Sequence, residues 1–223
     1  MPDQYTFQPK PFKCELVCQI CNYEFPGPNP RCCKVKVCIG IPYCRYHMQK
    51  AAKLEIKNSE HGKGVFAKAD PPRGRRGTRR TRNNNNNREL VFANDEDIIE
   101  YGGEEISKEE LIERYGKNTG PYAIINNKMY QDGACHRSIG TVINHNGTRP
   151  NVEFSQENRR SPITIRAIRN IYNGDQLYAD YGSDYEFDEN VVSKTIRTRK
   201  KGTVEPSKSE CQRREANRTR RSV

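Results

Sequence analysis

Eight potential metal ligands crowd into the 34 positions from Cys14 to His47: Cys14, Cys18, Cys21, Cys32, Cys33, Cys38, Cys44 and His47. No other feature restricts the possible folds of this chain so sharply. A segment this short holds too little apolar surface to close a core unaided. Its thiols and imidazole must therefore supply stabilisation, through metal or through disulfides. Disulfides belong to oxidising compartments, and Met1 to Pro11 is polar and proline-rich, unlike an export signal. Clustered cysteines followed by a histidine fit metal better. Zinc takes four such ligands tetrahedrally, so four residues would close one ion and eight would close two. Cys18-x2-Cys21 and Cys44-x2-His47 have the spacing with which one turn presents two ligands to one ion. Cys33 and Cys38 could join Cys44 and His47 instead. Spacing leaves the pairing and the number of ions open, and the site is expected to be structural.

The remaining residues divide by composition. Hydrophobic residues make up 33 % of the chain, a low share, so part of it is not expected to pack. A Cys-rich module over residues 1–50 precedes a main domain over residues 54–187. The insert 71–88 reads PPRGRRGTRRTRNNNNNR and is expected to form a disordered loop, and residues 188–223 form a basic disordered tail. The formal charge of +11 points to an acidic partner, with nucleic acid or a nucleosome meeting the insert and tail. The plainer reading is a solvated tail that keeps the protein soluble or directs import. No apolar run is long enough for a membrane span.

Within the main domain Val65-Phe66-Ala67, Asp97 to Tyr101, Tyr122 to Ile125 and Ile163 to Ile168 read as short strands. Ser107-Lys108-Glu109-Glu110 reads as a helix start, a Ser cap with Glu at the third helical position. That helix should run to Arg114 or Tyr115 and stop at Gly116. Asn173-Gly174-Asp175 marks a turn.

Four stretches carry the chemistry. They are His61-Gly62-Lys63-Gly64-Val65-Phe66-Ala67, Glu100-Tyr101-Gly102-Gly103-Glu104, Ile143-Asn144-His145 followed by Pro150-Asn151, and Gly174 to Gly182, GDQLYADYG. Each is ordinary alone. In this order, with Asp132 ahead of the third, they resemble the G-x-G, E-Y-x-G-E, N-H-S-C-x-P-N and G-E-E-L-x-Y-D-Y-G segments of the SET-domain protein lysine methyltransferases. That resemblance implies a mostly β (α+β) SET-domain β-clip fold with a pseudoknot, in which the third and fourth stretches thread together, beside a small zinc-stabilised N-terminal module. It implies S-adenosylmethionine as cofactor, with structural zinc as one or two ions.

By the same resemblance Tyr181 matches the catalytic tyrosine and Tyr101 a wall of the lysine channel. His61, Gly62, Lys63 and Gly64, Tyr122, and the pair Asn144 and His145 match cofactor contacts. Outside that context Asn144 would cap a turn, His145 would be a core histidine and Tyr181 a buried structural tyrosine. The chain also departs from the pattern. Ala179 stands two before Tyr181, where the family often has Phe or Tyr, so either the channel is roomier or Tyr178 fills the gap. Thr141 replaces an arginine, and the His-to-Pro-Asn spacing is one residue longer. Only Cys211 lies downstream, so the cysteine-rich post-SET site is missing, and Tyr185 and Phe187 serve either as a lid or as core packing.

Two functions follow. One is S-adenosylmethionine-dependent protein-lysine N-methylation, on a histone tail, by a nuclear and monomeric enzyme. A basic enzyme meeting a basic tail needs an acidic groove, for which Glu100, Glu104, Glu105, Asp184, Glu186 and Asp188 are candidates. The other is a non-catalytic SET-like zinc protein that binds chromatin or nucleic acid.

Overall fold

The computed structural model describes residues 19–27, 30–37, 41–60, 62–70, 88–158, 161–183 and Tyr185. Insert residues 71–87, the tail, and His61, Phe187, Cys14, Cys18 and Cys38 lie outside these. In chain order the strands are β1 (Gln19–Ile20), β2 (Glu24–Phe25), β3 (Arg31–Cys32), β4 (Lys36–Val37), β5 (Leu54–Ser59), β6 (Gly62–Ala67), β7 (Leu90–Phe92), β8 (Asp97–Glu100), β9 (Glu104–Ile106), β10 (Ala123–Asn126), β11 (Met129–Asp132), β12 (Asn144–His145), β13 (Val152–Ser155), β14 (Thr164–Ala167), β15 (Ile171–Tyr172) and β16 (Tyr178–Ala179). The two helices among the described residues are α1 (Arg45–Ala52) and α2 (Lys108–Tyr115). The architecture is mostly β, as expected, and no described helix is long and apolar enough to cross a membrane.

Alternating side-chain direction explains the largest sheet. In β14, Ile165 and Ala167 turn inward and are fully buried, while Thr164 and Arg166 face outward. Antiparallel partners flank this strand, β13 on one side and β8 on the other. Beyond β13 the order becomes unusual. The sheet runs β12-β16-β13-β14-β8, so the late strand β16 lies between two earlier ones and runs parallel to both. Asn151 fixes that insertion. Its side-chain amide donates to Gln176 O at 2.8 Å, its Oδ1 accepts from Tyr178 N–H at 2.7 Å, and its backbone N–H donates to Tyr178 O at 2.9 Å.

Below the sheet lies one continuous core that includes Leu54, Val65, Phe92, Ile139, Ile143, Val152, Ile165 and Leu177. Fully burying each large aliphatic side chain stabilises by about 1.5–3 kcal/mol. A hairpin of β5 and β6 covers one side, with Leu54 to Ser59 paired against Ala67 to Gly62. On another side β10, β11 and β9 pack against α2, which buries Leu111 and Tyr115.

Helix α2 forms as its sequence predicts. Ser107 Oγ accepts from Glu110 N–H at 3.1 Å, and the Glu110 carboxylate accepts from Ser107 N–H at 2.9 Å. Gly116 ends the helix in the left-handed region at φ 69°. Helix α1 was not legible. Its cap position is Cys44, which makes no side-chain cap, and the residue that closes it in the left-handed region is Lys53 rather than Gly.

The N-terminal region contrasts with this core. Its ladders, β1 with β4 and β2 with β3, are two residues long. Its buried cluster consists of Cys21, Cys33, Val37 and Cys44. Helix α1 serves both regions: His47 faces the cysteines, whereas Met48, together with Ile41 just upstream, belongs to the main core. The boundary expected between residues 50 and 54 therefore follows a helix whose side chains already reach across it.

Candidate active site and metal cluster

In the N-terminal region Cys21, Cys33, Cys44 and His47 turn their ligand atoms to within 4.8 Å of one another, and all four are buried. His47 Nδ1 lies 3.4 Å from Cys44 Sγ and 3.5 Å from Cys21 Sγ. Backbone N–H groups aim at the sulfurs, Cys44 N–H at Cys21 Sγ (3.2 Å) and Val35 N–H at Cys33 Sγ (3.5 Å). Such donors favour thiolate over thiol. A zinc ion with Zn–S near 2.3 Å and Zn–N near 2.0 Å holds tetrahedral ligands roughly 3.5–4 Å apart, so the set fits zinc. Burial pushes the Cys21 thiol up to about 12. Burial, with Lys50 adding to it, lowers the His47 imidazole, which is therefore neutral and able to ligate. Cys44 and His47 do stand one turn apart, and the residues that gather with them are Cys21 and Cys33. Cys32, expected among the ligands, is not part of this cluster and is disulfide-bonded.

In the main domain the predicted residues gather at the crossing of two segments. Asn144 pairs with Tyr178 and His145 with Ala179, and Asn146 N–H donates to Ala179 O at 2.9 Å. Tyr181 is thereby brought back onto the earlier segment. Its N–H donates to His145 Nδ1 at 3.1 Å, and its hydroxyl donates to Ile143 O. His145 Nδ1 is thus the acceptor of this contact. The glycine hairpin meets the same place. Asn144 donates to Ser59 Oγ at 3.0 Å, and a Cβ on Gly64 would lie 3.1 Å from Asn144 Nδ2 and 2.4 Å from Gln176 Nε2. Gly62 turns the hairpin at φ 88°, a conformation that glycine tolerates.

Aromatic side chains wall the crossing. The Tyr181 ring lies 4.8 Å from Tyr185 and 5.3 Å from His145. Tyr101 is buried, and its hydroxyl donates to Tyr122 O at 2.6 Å. Phe154 stands between them, edge-on to Tyr101 at 5.7 Å and 6.2 Å from Tyr181. Tyr185 donates to Pro121 O at 3.4 Å, which ties the far end of the domain to the β10 side. Burial raises the hydroxyls of Tyr101, Tyr181 and Tyr185 above the ordinary phenol range, and neighbouring phenols add to the effect at Tyr101 and Tyr181. All three are neutral at physiological pH.

A profile of the SET domain matches residues 62–182, from the first hairpin glycine to the residue after Tyr181. The chain belongs to the SET-domain family. Comparison with curated proteins gave no match. SET-domain proteins are commonly lysine methyltransferases that use S-adenosylmethionine, and the insertion of β16 between β12 and β13 is the pseudoknot expected of the fold. The donor set at the crossing suits that cofactor, with side-chain-free backbone at Gly62 and Gly64 beside the Asn144 amide and the His145 ring, and a partly buried tyrosine at 185.

The departures from the SET pattern have physical accounts. Ala179 is fully buried between β12 and β13. The Tyr178 hydroxyl donates to Gln176 Oε1 at 2.9 Å. Phe154, from a neighbouring strand, supplies the bulk near Tyr181. Thr141 packs its methyl against Gly133, where a Cβ would come within 2.2 Å, and its hydroxyl donates to Ser138 O at 2.7 Å. Among the candidate acidic-groove residues, Glu100 and Glu105 are exposed, whereas Glu104 is ion-paired with Arg114. Sequence reading missed Phe154, Asn151 as a lock and Ser59 as a partner of Asn144. Only the alternation in Val152-Glu153-Phe154 signalled the inward course of Phe154.

Proposed function

We propose that this chain is an S-adenosylmethionine-dependent protein-lysine N-methyltransferase acting on a histone tail in the nucleus. The observation that carries the reading is the Tyr181 hydroxyl seated on Ile143 O, inside a wall of Tyr101, Phe154 and Tyr185 and directly beside the Asn144-His145 pair.

The cofactor, held by Gly62, Lys63, Gly64, Asn144 and His145 with Tyr122 and Tyr185 nearby, supplies a methyl group activated by a sulfonium charge. The protein's own task is to deliver a neutral, aligned amine. A free lysine has a pKa of about 10.4, and a dry aromatic channel disfavours its charged form. The Tyr181 hydroxyl donates its hydrogen bond to Ile143 O and the Tyr101 hydroxyl donates its own to Tyr122 O. Each hydroxyl therefore has only lone pairs left to offer. Two such acceptors take the N–H groups of an entering amine and leave the nitrogen lone pair free to attack. Alignment of this kind can supply several kcal/mol of the barrier reduction. Exposed Glu100 and Glu105 supply part of the attraction for a basic tail, while the Arg/Asn-rich insert and the basic tail contact nucleosomal nucleic acid, and the enzyme acts as a monomer.

The test is a labelled-cofactor assay on histones and intact nucleosomes, with mass spectrometry of the products. Methyl-lysine that disappears in Tyr181→Phe supports the proposal. A protein that binds nucleic acid but no S-adenosylmethionine overturns it in favour of a non-catalytic module, and affinity unchanged by Asn144→Ala removes Asn144 from the cofactor site.

A further inference from the structure

The metal-cluster region carries a second feature unrelated to methyl transfer. Two exposed aromatic rings each pack against His47. Phe25 is 42 % exposed and meets the His47 ring edge-on at 5.1 Å, and Tyr46 is 62 % exposed with its ring 5.2 Å away. Tyr23 stacks on His47 at 4.0 Å and braces Phe25 edge-on at 5.4 Å, so the exposed rings rest on a rigid base. Exposed cations border them. Arg31 is the cross-strand partner of Phe25 and shares its face. Lys50 places Nζ 4.6 Å from the Tyr46 ring centroid, and Arg45 directly precedes Tyr46. Among the described residues from 19 to 52, Arg31, Lys34, Lys36, Arg45 and Lys50 face a single acid, Glu24.

We infer that this face of the zinc module binds single-stranded nucleic acid. Exposed rings fixed on a rigid platform cost water-ordering free energy unless something covers them, and bases are the flat partners that stack on them without regard to sequence. The bordering cations meet the phosphates. An acidic peptide would satisfy the charge and leave the rings uncovered. A duplex keeps its bases stacked internally and unavailable.

The experiment uses the full-length, zinc-loaded chain with fluorescent oligothymidylate and oligouridylate of about twelve nucleotides, a length within the range of known single-strand sites. A duplex of equal length and polyglutamate serve as competitors. Because basic segments elsewhere in the chain also attract phosphate, the decisive variants change rings at constant charge. Phe25→Ala and Tyr46→Ala should each weaken single-strand binding about tenfold, in line with the loss of one stacked base. The dependence on salt should be unchanged, since that slope counts phosphate contacts. Tyr46→Trp should retain affinity, and zinc content should be that of the wild type throughout. Arg31→Gln with Lys50→Gln should make the salt slope shallower. Ring variants that bind like the wild type, or polyglutamate that displaces the oligonucleotide as readily as unlabelled single strand does, overturn the inference.

Discussion

The two halves of this protein reach stability by different means. The SET core buries a continuous set of aliphatic side chains beneath a sheet of long-range strand pairs. The N-terminal module has two-residue ladders and a buried cluster in which three of the four members are cysteines. One region is held by expelled water, whereas the other gathers a Cys/His set that could hold an ion. A helix joins them, with ligand His47 and core residue Met48 as neighbours on α1.

Removing metal should separate the two most strongly. Structural zinc in small modules contributes roughly 10–16 kcal/mol of folding free energy. With a strong chelator and reductant present, amides between residues 19 and 44 should lose hydrogen-exchange protection while β13, β14 and β16 keep theirs. Protection that persists in the module would show that the thiols are not holding it through metal. Cys21 must also release its proton to ligate, so zinc affinity should rise with pH and zinc binding should acidify an unbuffered solution.

Within the core, the corresponding weak point is polar. Asp132 is fully buried and accepts from Arg114 (2.9 Å), from the Tyr115 hydroxyl and from Ala134 N–H (3.0 Å). Asp132→Ala removes the acceptor of the buried Tyr115 hydroxyl and one of the two carboxylates on Arg114, with Glu104 remaining, and should cost about 1–3 kcal/mol in denaturant unfolding. Zinc content should be unaffected. A loss shared equally by both regions would mean that they unfold as one unit.

Chemistry should be easier to remove than structure. Tyr181→Phe is expected to lower kcat about a hundredfold, or roughly 2.7 kcal/mol, with cofactor affinity and melting temperature near those of the wild type. Full turnover in that variant would take Tyr181 out of the mechanism.

The smallest effect concerns pH. Tyr101, Tyr115 and Tyr181 all have folded-state values raised by burial. A phenol that stays protonated in the fold stabilises it fully below the ordinary value of about 10 and loses that contribution above it, where the unfolded chain ionises first. The core should therefore weaken from about pH 10 upward, and turnover should show no falling limb from tyrosine below that point. An alkaline melting curve that stays flat to pH 12 would contradict the burial of these groups.

Legibility followed the range of the determining interaction. Helix α2 was readable because Ser107, Glu110 and Gly116 fix its ends locally. Thr164 to Ala167 was readable because the alternation that buries Ile165 is written in consecutive residues. The crossing of Asn144-His145 with Tyr178-Ala179 came only through the family resemblance, since no local signal places residues 34 positions apart in one parallel ladder. Helix α1 escaped notice because its cap is a cysteine committed to the cluster. The choice of Cys21 and Cys33 as neighbours of Cys44 and His47 depends on how the β2–β3 hairpin, enclosed by the paired β1 and β4, folds against α1. Phe154 was missed as a wall because its neighbour Tyr101 comes from β8's end, across an intervening strand.

Insertion of β16 between β12 and β13 also orders events in time. A ribosome releases Asn144, His145 and Val152 well before Tyr178, so the gap between those strands must stay open, or reopen, until the closing strand emerges. A chain halted before Tyr178 would leave the facing edges of β12 and β13 unpaired. Such fragments should be sticky, and the crossing can form only once Tyr178 and Ala179 have been synthesised.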